Sequence, residues 1–155
     1  MFLAGSHNGA RRLRMLVVDD DPAQEILIRA ALGDHPDAID IVFHTDAAQC
    51  LEALGKAAIL PDILLVDVNM PRMSGPQFMQ HLRAAPKTQS IPAVGWSSSD
   101  RREDINSMYQ HGVSGYLVKP LTFEGLYDTV HIVLDYWHLA TPAAQANPWA
   151  AKRAE

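Results

Sequence analysis

The hydrophobic positions of this sequence follow two periods in turn. Short apolar runs, typical of strands buried on both faces, are separated by segments whose apolar residues recur three or four positions apart, typical of amphipathic helices. The predicted strands are Met15–Asp19, Ile39–Phe43, Ile63–Asp67, Ile91–Trp96 and Gly115–Val118. The predicted helices are 22–32, Ala47–Leu54, Ser74–Ala85, a segment that opens at Asp100, and Thr122–Leu139.

The regular alternation of strand and helix predicts an α/β fold. Parallel strands that follow one another in this way are joined by right-handed crossovers, which place helices on both faces of one sheet. The sequence therefore predicts a doubly wound, five-stranded parallel sheet. The pattern does not give the strand order, but in the flavodoxin-like order 2-1-3-4-5 the carboxyl ends of the first and third strands are neighbours.

Two of the helix starts carry a capping signature. Asp21 precedes Pro22 and stands three residues before Gln24, and Asp100 stands three residues before Glu103. An N-cap followed by Gln or Glu at the third helical position is the pattern of a capping box, and Pro is favoured at the first helical position. We therefore expect Asp21 to cap the first helix rather than to bind a ligand.

Length and charge narrow the class of protein. The 155 residues fit one domain, and we expect an irregular leader over 1–13, a folded domain over 14–140 and an irregular tail over 141–155. Residues 15–140 carry a formal charge of −9, since the total of −5 includes +3 from residues 1–14 and +1 from the tail. Such an acidic body repels nucleic acid, so direct nucleic-acid binding is not expected.

Cysteine usage and hydropathy bear on the compartment. Cys50 is the only cysteine, so no intrachain disulfide can form, which fits a reducing compartment. The apolar residues at the N-terminus are too few for a secretory signal, and no apolar run approaches the length of a membrane span. We therefore expect a cytoplasmic protein without membrane contact.

Charged residues stand at the carboxyl ends of three predicted strands. Asp19 and Asp20 follow the first apolar run, Asp67 ends the third and Lys119 follows the fifth. Open α/β sheets bind ligands at this edge. Two carboxylates about 4 Å apart repel by about 4 kcal/mol at an effective dielectric constant of 20, so a cluster of the three acids needs a cation. Oxygen ligands of this kind suit Mg²⁺.

Four short motifs now point to a family. They are Val-Asp-Asp-Asp-Pro (18–22), Asp-Val-Asn-Met-Pro-Arg-Met-Ser-Gly (67–75), Trp-Ser-Ser (96–98) and Lys-Pro (119–120), each at the end of a predicted strand. In these motifs the sequence resembles the receiver domain of two-component response regulators, over roughly residues 13–140. The resemblance implies the flavodoxin-like strand order and a signalling role without enzymatic turnover, apart from slow autodephosphorylation.

The resemblance implies roles for the acidic residues. Asp67 would be the phospho-acceptor, which takes its phosphoryl group from the phosphohistidine of a sensor histidine kinase. Asp20 and Asp67 would bind Mg²⁺ directly, Asp19 through a water molecule, and Asn69 through its backbone carbonyl. Mg²⁺ would also neutralise the site, because three carboxylates and Lys119 together carry a formal charge of −2.

The resemblance also implies roles for residues at the ends of the fourth and fifth strands. The Ser97 hydroxyl would donate to a phosphoryl oxygen, Lys119 would pair with the phosphoryl group, and Pro120 would follow through a cis peptide bond. Movement of the Ser97 loop and of the Tyr116 ring would then change the surface formed by the fourth helix, fifth strand and fifth helix.

Two features depart from the usual pattern of these domains. Gly95 and Trp96 replace the usual pair of aliphatic residues before the hydroxyl of Ser97. The favoured interpretation is a packing exchange in which Gly95 makes room for Trp96, and the alternative is an aromatic wall beside the site. Ser98 stands where many receivers carry Ala, and the sequence does not decide whether its hydroxyl slows attack by water.

The C-terminal part suggests a subfamily and an assembly. The segment 134–142 and the loop around Arg72 resemble small, single-domain receivers that partner phytochrome-type sensor kinases. Ile132, Tyr136 and Leu139 form an apolar line outside the core-facing stripe of the last helix. We hypothesise a homodimer through this helix and the C-terminal tail. The alternative is that the line packs only under the leader or the tail of its own chain.

Three other functions fit less well. A Mg²⁺-dependent phosphatase of the haloacid-dehalogenase type needs an acid two residues after its nucleophile, and Asn69 occupies that place. An FMN-binding flavodoxin needs a phosphate loop rich in Ser, Thr and Gly after the first strand, where acids stand instead. A receiver-like module that is never phosphorylated would not need the complete set of acids, hydroxyl and lysine.

Overall fold

The computed structural model describes residues 12–33 and 39–140. The strands are β1 (Leu13–Val18), β2 (Ile39–His44), β3 (Ile63–Val66), β4 (Ala93–Ser97) and β5 (Gly115–Val118). The helices are α1 (Ala23–Ala31), α2 (Ala47–Lys56), α3 (Gly75–Ala84), α4 (Arg102–Gln110) and α5 (Phe123–Leu139). The predicted leader and tail lie outside the described residues, apart from Arg12 and Leu13.

The five strands form one parallel sheet in the order β2-β1-β3-β4-β5. The predicted fold class and the flavodoxin-like order are both confirmed. The order places β1 beside β3, with Val18 opposite Val66 in the register. The residues that follow these two strands therefore emerge side by side at the carboxyl edge of the sheet.

Each face of the sheet is covered by its own hydrophobic core, as alternating side chains of buried strands require. One core joins the sheet to α2, α3 and α4, and its members include Leu54, Leu64, Phe78, Met79 and Met108. The other joins the sheet to α1 and α5, and its members include Val17, Ile28, Ile63, Trp96 and Leu126. The central strand β3 is buried along its whole length, and Asp67 follows directly at its carboxyl end.

The helix starts differ in part from the predicted capping. Ser74 forms a complete capping box with Gln77 at the start of α3, whereas neither predicted box forms. At α1 the N-cap is Pro22 rather than Asp21, although an Asp21 carboxylate oxygen caps the backbone N–H of Ala23 from one residue earlier. The Gln24 side chain accepts a hydrogen bond from Trp96 instead of reaching back to the start of the helix.

The predicted capping box of the fourth helix is wrong as well. The N-cap of α4 is Arg101, and its side chain makes no capping hydrogen bond. Ser99 takes part instead, because its hydroxyl accepts from the backbone N–H of Arg101 and donates to Asp104 in the first turn of α4.

Within the described residues, no helix has both the length and the apolar character needed to cross a membrane.

Candidate functional site

The acidic residues predicted from the sequence meet at the carboxyl edge of the sheet. The backbone N–H of Asp67 donates to the carbonyl of Val18 at 3.0 Å, which continues the pairing of β3 with β1 by one residue. Asp19 and Asp20 follow β1 directly, and carboxylate oxygens of Asp19, Asp20 and Asp67 lie within 4.8 Å of one another. The strand order, rather than any local sequence feature, brings these groups together.

The three acids differ in their exposure to solvent. Asp19 and Asp67 are buried, with 2% and 6% of their surface exposed, whereas Asp20 is exposed. One oxygen of Asp19 accepts from the backbone N–H of Asp21, which holds the turn after β1 in place. Asp21 itself caps α1, as expected, and is not part of the group of oxygens around Asp67.

Lys119 supplies a positive charge to this group. Its Nζ atom lies 2.6 Å from a carboxylate oxygen of Asp19 and 3.5 Å from one of Asp67. Its backbone N–H donates to the carbonyl of Ser97 at 2.8 Å, which fixes the end of β5 against the end of β4. The ammonium group is therefore held next to the carboxylate that was predicted to accept the phosphoryl group.

The electrostatics of the site favour an added cation. Burial and, next, the neighbouring charge of Asp19 raise the pKa of Asp67 from 3.8 to about 6, against the opposing effects of Lys119 and of the Asn69 backbone N–H. One ammonium group thus leaves the carboxylates only partly neutralised. Several hard oxygen donors at one partly exposed edge are the ligands that Mg²⁺ prefers, so the residues present fit the predicted metal.

Asn69 and Ser97 both lie at this edge. The backbone N–H of Asn69 points to a carboxylate oxygen of Asp67 at a long 3.4 Å. Ser97 ends β4, is 1% exposed, and its Oγ atom accepts from the backbone N–H of Ser99 at 3.2 Å. The side chain of the neighbouring Ser98 is exposed, which is compatible with either no effect on the site or a slower attack by water.

The predicted cis bond before Pro120 is not present. The Lys119–Pro120 peptide bond is trans. Trans is the intrinsically favoured isomer of an X–Pro bond, and with it Lys119 already reaches both Asp19 and Asp67.

The packing exchange predicted for Gly95 and Trp96 involves a different partner. A Cβ atom on Gly95 would lie 2.7 Å from Cδ2 of Tyr116, so the glycine makes room for the tyrosine ring. Trp96 points to the opposite face of the sheet, where it is 1% exposed in the core beneath α1 and α5. It is therefore not an aromatic wall beside the site.

Tyr116 is connected to the loop that follows Ser97. Its hydroxyl donates to the carbonyl of Ser99 at 2.7 Å, in the loop that follows Ser97. Burial raises the pKa of the Tyr116 phenol, an effect that hydrogen bonding to Ser97 and Ser99 partly offsets. The sequence indicated roles for Tyr116 and Ser97 but not for Ser99, which links them and which only the run of serines at 97–99 could have suggested.

Two further residues after β3 belong to the motif 67–75, but the sequence did not indicate their structural roles. A Cβ atom on Gly75 would lie 2.8 Å from Cα of Val68 and closer still to the carbonyl oxygen of Asp67, so only glycine fits there. Arg72 adopts a positive φ of 66° and forms an ion pair of 2.6 Å with Asp46, the N-cap of α2. Both residues hold the loop that begins at Asp67.

The sequence matches the response regulator receiver domain family over residues 15–131. It is 29% identical to the probable methanogenesis regulatory protein FilR2 of Methanothrix harundinacea (strain 6Ac) over 127 residues, which are 79% of this chain and 82% of that protein. The structure resembles the phosphorylated cyanobacterial phytochrome response regulator RcpA, with a TM-score of 0.78 and 25% identity over 85% of this chain and 99% of that one.

A second solved structure shares the fold. The response regulator RPA3017, described as acting in red light signaling of R. palustris, has a TM-score of 0.72 and 24% identity over 84% of this chain and 98% of that one. The family match covers most of the sequence and includes the two strand ends that carry the buried acids. The chain therefore belongs to the response regulator receiver domain family.

Proposed function

We propose that this protein accepts a phosphoryl group on Asp67 from the phosphohistidine of a sensor histidine kinase in a Mg²⁺-dependent reaction. The observation that carries the proposal is the position of the Asp67 carboxylate, which lies 3.5 Å from Lys119 and within 4.8 Å of oxygens of Asp19 and Asp20. An ionised oxygen of Asp67 forms the new P–O bond, the P–N bond to the donor imidazole breaks, and the departing imidazole takes up a proton.

The residues around Asp67 supply charge and position, which are what phosphoryl transfer demands. Asp20, Asp67 and the carbonyl of Asn69 would hold Mg²⁺, with Asp19 in contact through water. When bound, the ion would neutralise the formal charge of −2 and draw the incoming phosphoryl oxygens to the site. Lys119, already between two carboxylates, is within reach of a group placed on Asp67.

Ser97 and Tyr116 would transmit the change. The Ser97 hydroxyl is placed at the same edge of the sheet and would donate to a phosphoryl oxygen. Because the Ser99 backbone contacts both the Ser97 hydroxyl and the Tyr116 hydroxyl, movement of Ser97 would shift the Tyr116 side chain. The affected surface is formed by α4, β5 and α5, which carries exposed Tyr109, Val118 and Phe123.

A labelling experiment tests the acceptor. Incubation of the full chain with Mg²⁺ and acetyl phosphate should add one phosphoryl group, seen as a single mass increment of the intact protein. Asp67→Asn should abolish the increment, and omission of Mg²⁺ should do the same. Asp21→Asn is the matched control, since it changes a neighbouring acid that caps α1 and should keep full labelling. Labelling that persists in Asp67→Asn would refute the assignment.

We also propose a phytochrome-type kinase as the donor. The likeness to RcpA supports this, because that protein is described as a phytochrome response regulator. The test is phosphotransfer from a panel of purified, phosphorylated sensor kinases, at equal concentrations and short times. Preferential transfer from phytochrome-type kinases is expected, and faster transfer from kinases of other sensor classes would contradict the proposal.

A homodimer through α5 and the C-terminal tail forms the last part of the proposal. Ile132, Tyr136 and Leu139 are 68%, 63% and 88% exposed on α5, which supports an apolar contact surface there. The tail itself lies outside the described residues.

Nucleic acid remains an unsuitable partner, because residues 15–140 carry a formal charge of −9 within the total of −5.

Light scattering tests the dimer. The full chain should show twice the monomer mass before or after phosphorylation, and Ile132→Glu should reduce that mass to the monomer. Leu121→Glu replaces an even more exposed apolar residue outside α5 and should leave the mass unchanged. A monomeric mass with and without phosphorylation would exclude the dimer.

A further inference from the structure

A glycine within β4 sets the space available to the ring of Tyr116. Gly95 and Tyr116 are register partners on neighbouring strands, so positions 95 and 116 face the same side of the sheet. A Cβ atom on Gly95 would lie 2.7 Å from Cδ2 and 3.2 Å from Cε2 of the ring. The ring therefore fills the volume that any other side chain at position 95 would need.

The position of this ring is linked to the loop after β4. The Tyr116 hydroxyl donates to the carbonyl of Ser99 at 2.7 Å, and the backbone N–H of Ser99 donates to Oγ of Ser97 at 3.2 Å. The Ser99 hydroxyl in turn donates to Asp104 of α4 at 2.5 Å. Through one residue, the phenol is thus connected both to the hydroxyl proposed to bind phosphoryl oxygen and to the first turn of α4.

The residue next to Gly95 does not share this role. Trp96 lies in the core on the other face of the sheet, where its indole N–H points to Gln24 of α1. A small side chain added at position 95 therefore acts on the Tyr116 face and leaves the Trp96 face unchanged.

We propose that Gly95 is a positioning residue for the switch, because its missing side chain seats the Tyr116 ring against β4 with the phenol on the Ser99 carbonyl. This inference rests on the proposed function of Asp67 and Ser97. The seated ring holds the loop that follows Ser97 through its hydrogen bond to the Ser99 carbonyl, so it favours phosphoryl binding by Ser97. Coupling between two sites is reciprocal, so a bound phosphoryl group also favours the seated ring.

The contact made by Gly95 suits an experimental test. The atoms that an added Cβ would meet belong to a side chain that can rotate, so Gly95→Ala should displace the ring rather than unfold the sheet. Gly115→Ala is the matched control on the neighbouring strand, since a Cβ atom there would meet nothing closer than the Val94 methyl groups at 3.9 Å.

The first measurement follows the ring in the full chain labelled with fluorotyrosine, with the Tyr116 signal assigned from Tyr116→Phe. Gly95→Ala should move this ¹⁹F signal toward that of an exposed tyrosine, and Gly115→Ala should leave it in place. A Tyr116 signal that is the same in Gly95→Ala and in the wild type would overturn the inference.

The second measurement is the affinity for beryllofluoride, a phosphoryl mimic, in the presence of Mg²⁺. Gly95→Ala should weaken binding by roughly three- to tenfold, as expected for the loss of one hydrogen bond, and Tyr116→Phe should weaken it to a similar extent. A displaced Tyr116 ring with unchanged affinity for beryllofluoride would overturn the inference, because the position of the ring and phosphoryl binding would then not be coupled. If the wild-type protein binds no beryllofluoride, the proposed function is refuted instead. The ¹⁹F signal of Tyr116 still reports separately whether Gly95 positions the ring.

A double-mutant cycle covers the case in which Gly95→Ala lowers stability. If the alanine clashes only with the ring, its destabilising effect should largely disappear in a Tyr116→Ala background. An equal loss of stability in both backgrounds would show that position 95 is constrained by something other than Tyr116, and the inference would fail.

Discussion

At the scale of single residues, the ionised carboxylate of Asp67 is held in the fold at a cost. Burial and the charge of Asp19 raise its pKa to about 6, although Lys119 lies 3.5 Å away. Perturbed carboxyl groups of this kind cluster at functional sites. The same features that make Asp67 a candidate acceptor therefore predict a measurable effect on stability.

Replacing Asp67 with Asn should stabilise the metal-free protein above pH 7. The folded-state pKa of about 6 exceeds the ordinary 3.8, so the folded protein binds the proton more tightly than the unfolded chain. The stability of the wild type therefore falls as the pH rises from about 4 to about 6. Asn carries no such penalty, so the variant should gain about 1–3 kcal/mol above pH 7 and almost nothing at pH 4.

Urea unfolding in EDTA at a series of pH values measures this difference. Asp21→Asn serves as the control, because it changes an acid that caps α1 and leaves the Asp67 carboxyl in place. A gain from Asp67→Asn that is equal at pH 4 and pH 8 would contradict the explanation by proton binding.

The ion pair between Lys119 and Asp19 allows a second prediction. Lys119 is 13% exposed in a 2.6 Å pair with a fully buried carboxylate, whereas Lys56 is 76% exposed in a 2.6 Å pair with Glu52. Without Mg²⁺, Lys119→Met should destabilise the fold by about 2–4 kcal/mol, because it leaves a buried charge without its partner. Lys56→Met should cost only about 0.3–0.5 kcal/mol.

Chemical denaturation of the two lysine variants at pH 7.5 in EDTA gives the comparison. Similar losses from both substitutions would mean that water screens the Lys119 pair as fully as the surface pair.

At the scale of elements, the start of α3 fixes the loop that begins at Asp67. Ser74 closes the capping box, and Gly75 follows it with its backbone N–H on the carbonyl of Val68 at 2.8 Å. The N-terminus of the helix is thereby held directly against the strand end that presents the carboxylate.

Gly75→Ala should lower the stability of the fold far more than Gly55→Ala, which changes the glycine of α2. The added Cβ on Gly75 would meet backbone atoms of Asp67 and Val68, which cannot rotate away, so Gly75→Ala should cost about 1–3 kcal/mol. A Cβ on Gly55 would meet nothing within 4 Å, so Gly55→Ala should stabilise α2 by about 0.5–1 kcal/mol.

Thermal unfolding of the two glycine variants tests the contrast, with phosphoryl labelling as a second readout. Gly75→Ala should also slow labelling of Asp67, whereas Gly55→Ala should leave it unchanged. A Gly75→Ala protein with wild-type stability would show that the approach of α3 to β3 is less close than described.

The helices and strands also show which features the local sequence pattern predicts and which it does not. Each of the ten helices and strands found in residues 12–33 and 39–140 was predicted, with bounds that differ by a few residues at most, because buried strands and amphipathic helices have distinct periods. The predicted capping boxes failed where tertiary contacts intervened. The Gln24 side chain accepts a hydrogen bond from Trp96. At the start of α4, the backbone N–H of the N-cap Arg101 donates to the hydroxyl of Ser99, two residues earlier.

At the scale of the whole molecule, Mg²⁺ should stabilise the fold in a pH-dependent way. A ligand that binds only the folded state adds about 2.7 kcal/mol at one hundred times its dissociation constant. Binding requires ionised Asp67, whose pKa is about 6, so the increase in melting temperature on adding Mg²⁺ should be larger at pH 8 than at pH 5. Calorimetry at both pH values measures it, and Asp67→Asn should lose most of the increase.

The sequence by itself determined the ten elements, the α/β class and the residues that end the strands, because these depend on local periodicity and on motifs a few residues long. It also placed Ser97, Tyr116 and Lys119 at strand ends or within strands that the fold then brings to one edge. The resemblance carried by the four motifs supplied the strand order, which the alternation of strand and helix alone left open.

Only the tertiary structure decided which groups touch. Helical crossovers are long enough to join several different pairs of strands, so the contact between Asp19 and Asp67 depends on β1 lying beside β3. The raised pKa of Asp67 depends on its burial. Gly95 makes room for Tyr116 rather than for its neighbour Trp96, since side chains alternate across a strand and register partners share a face.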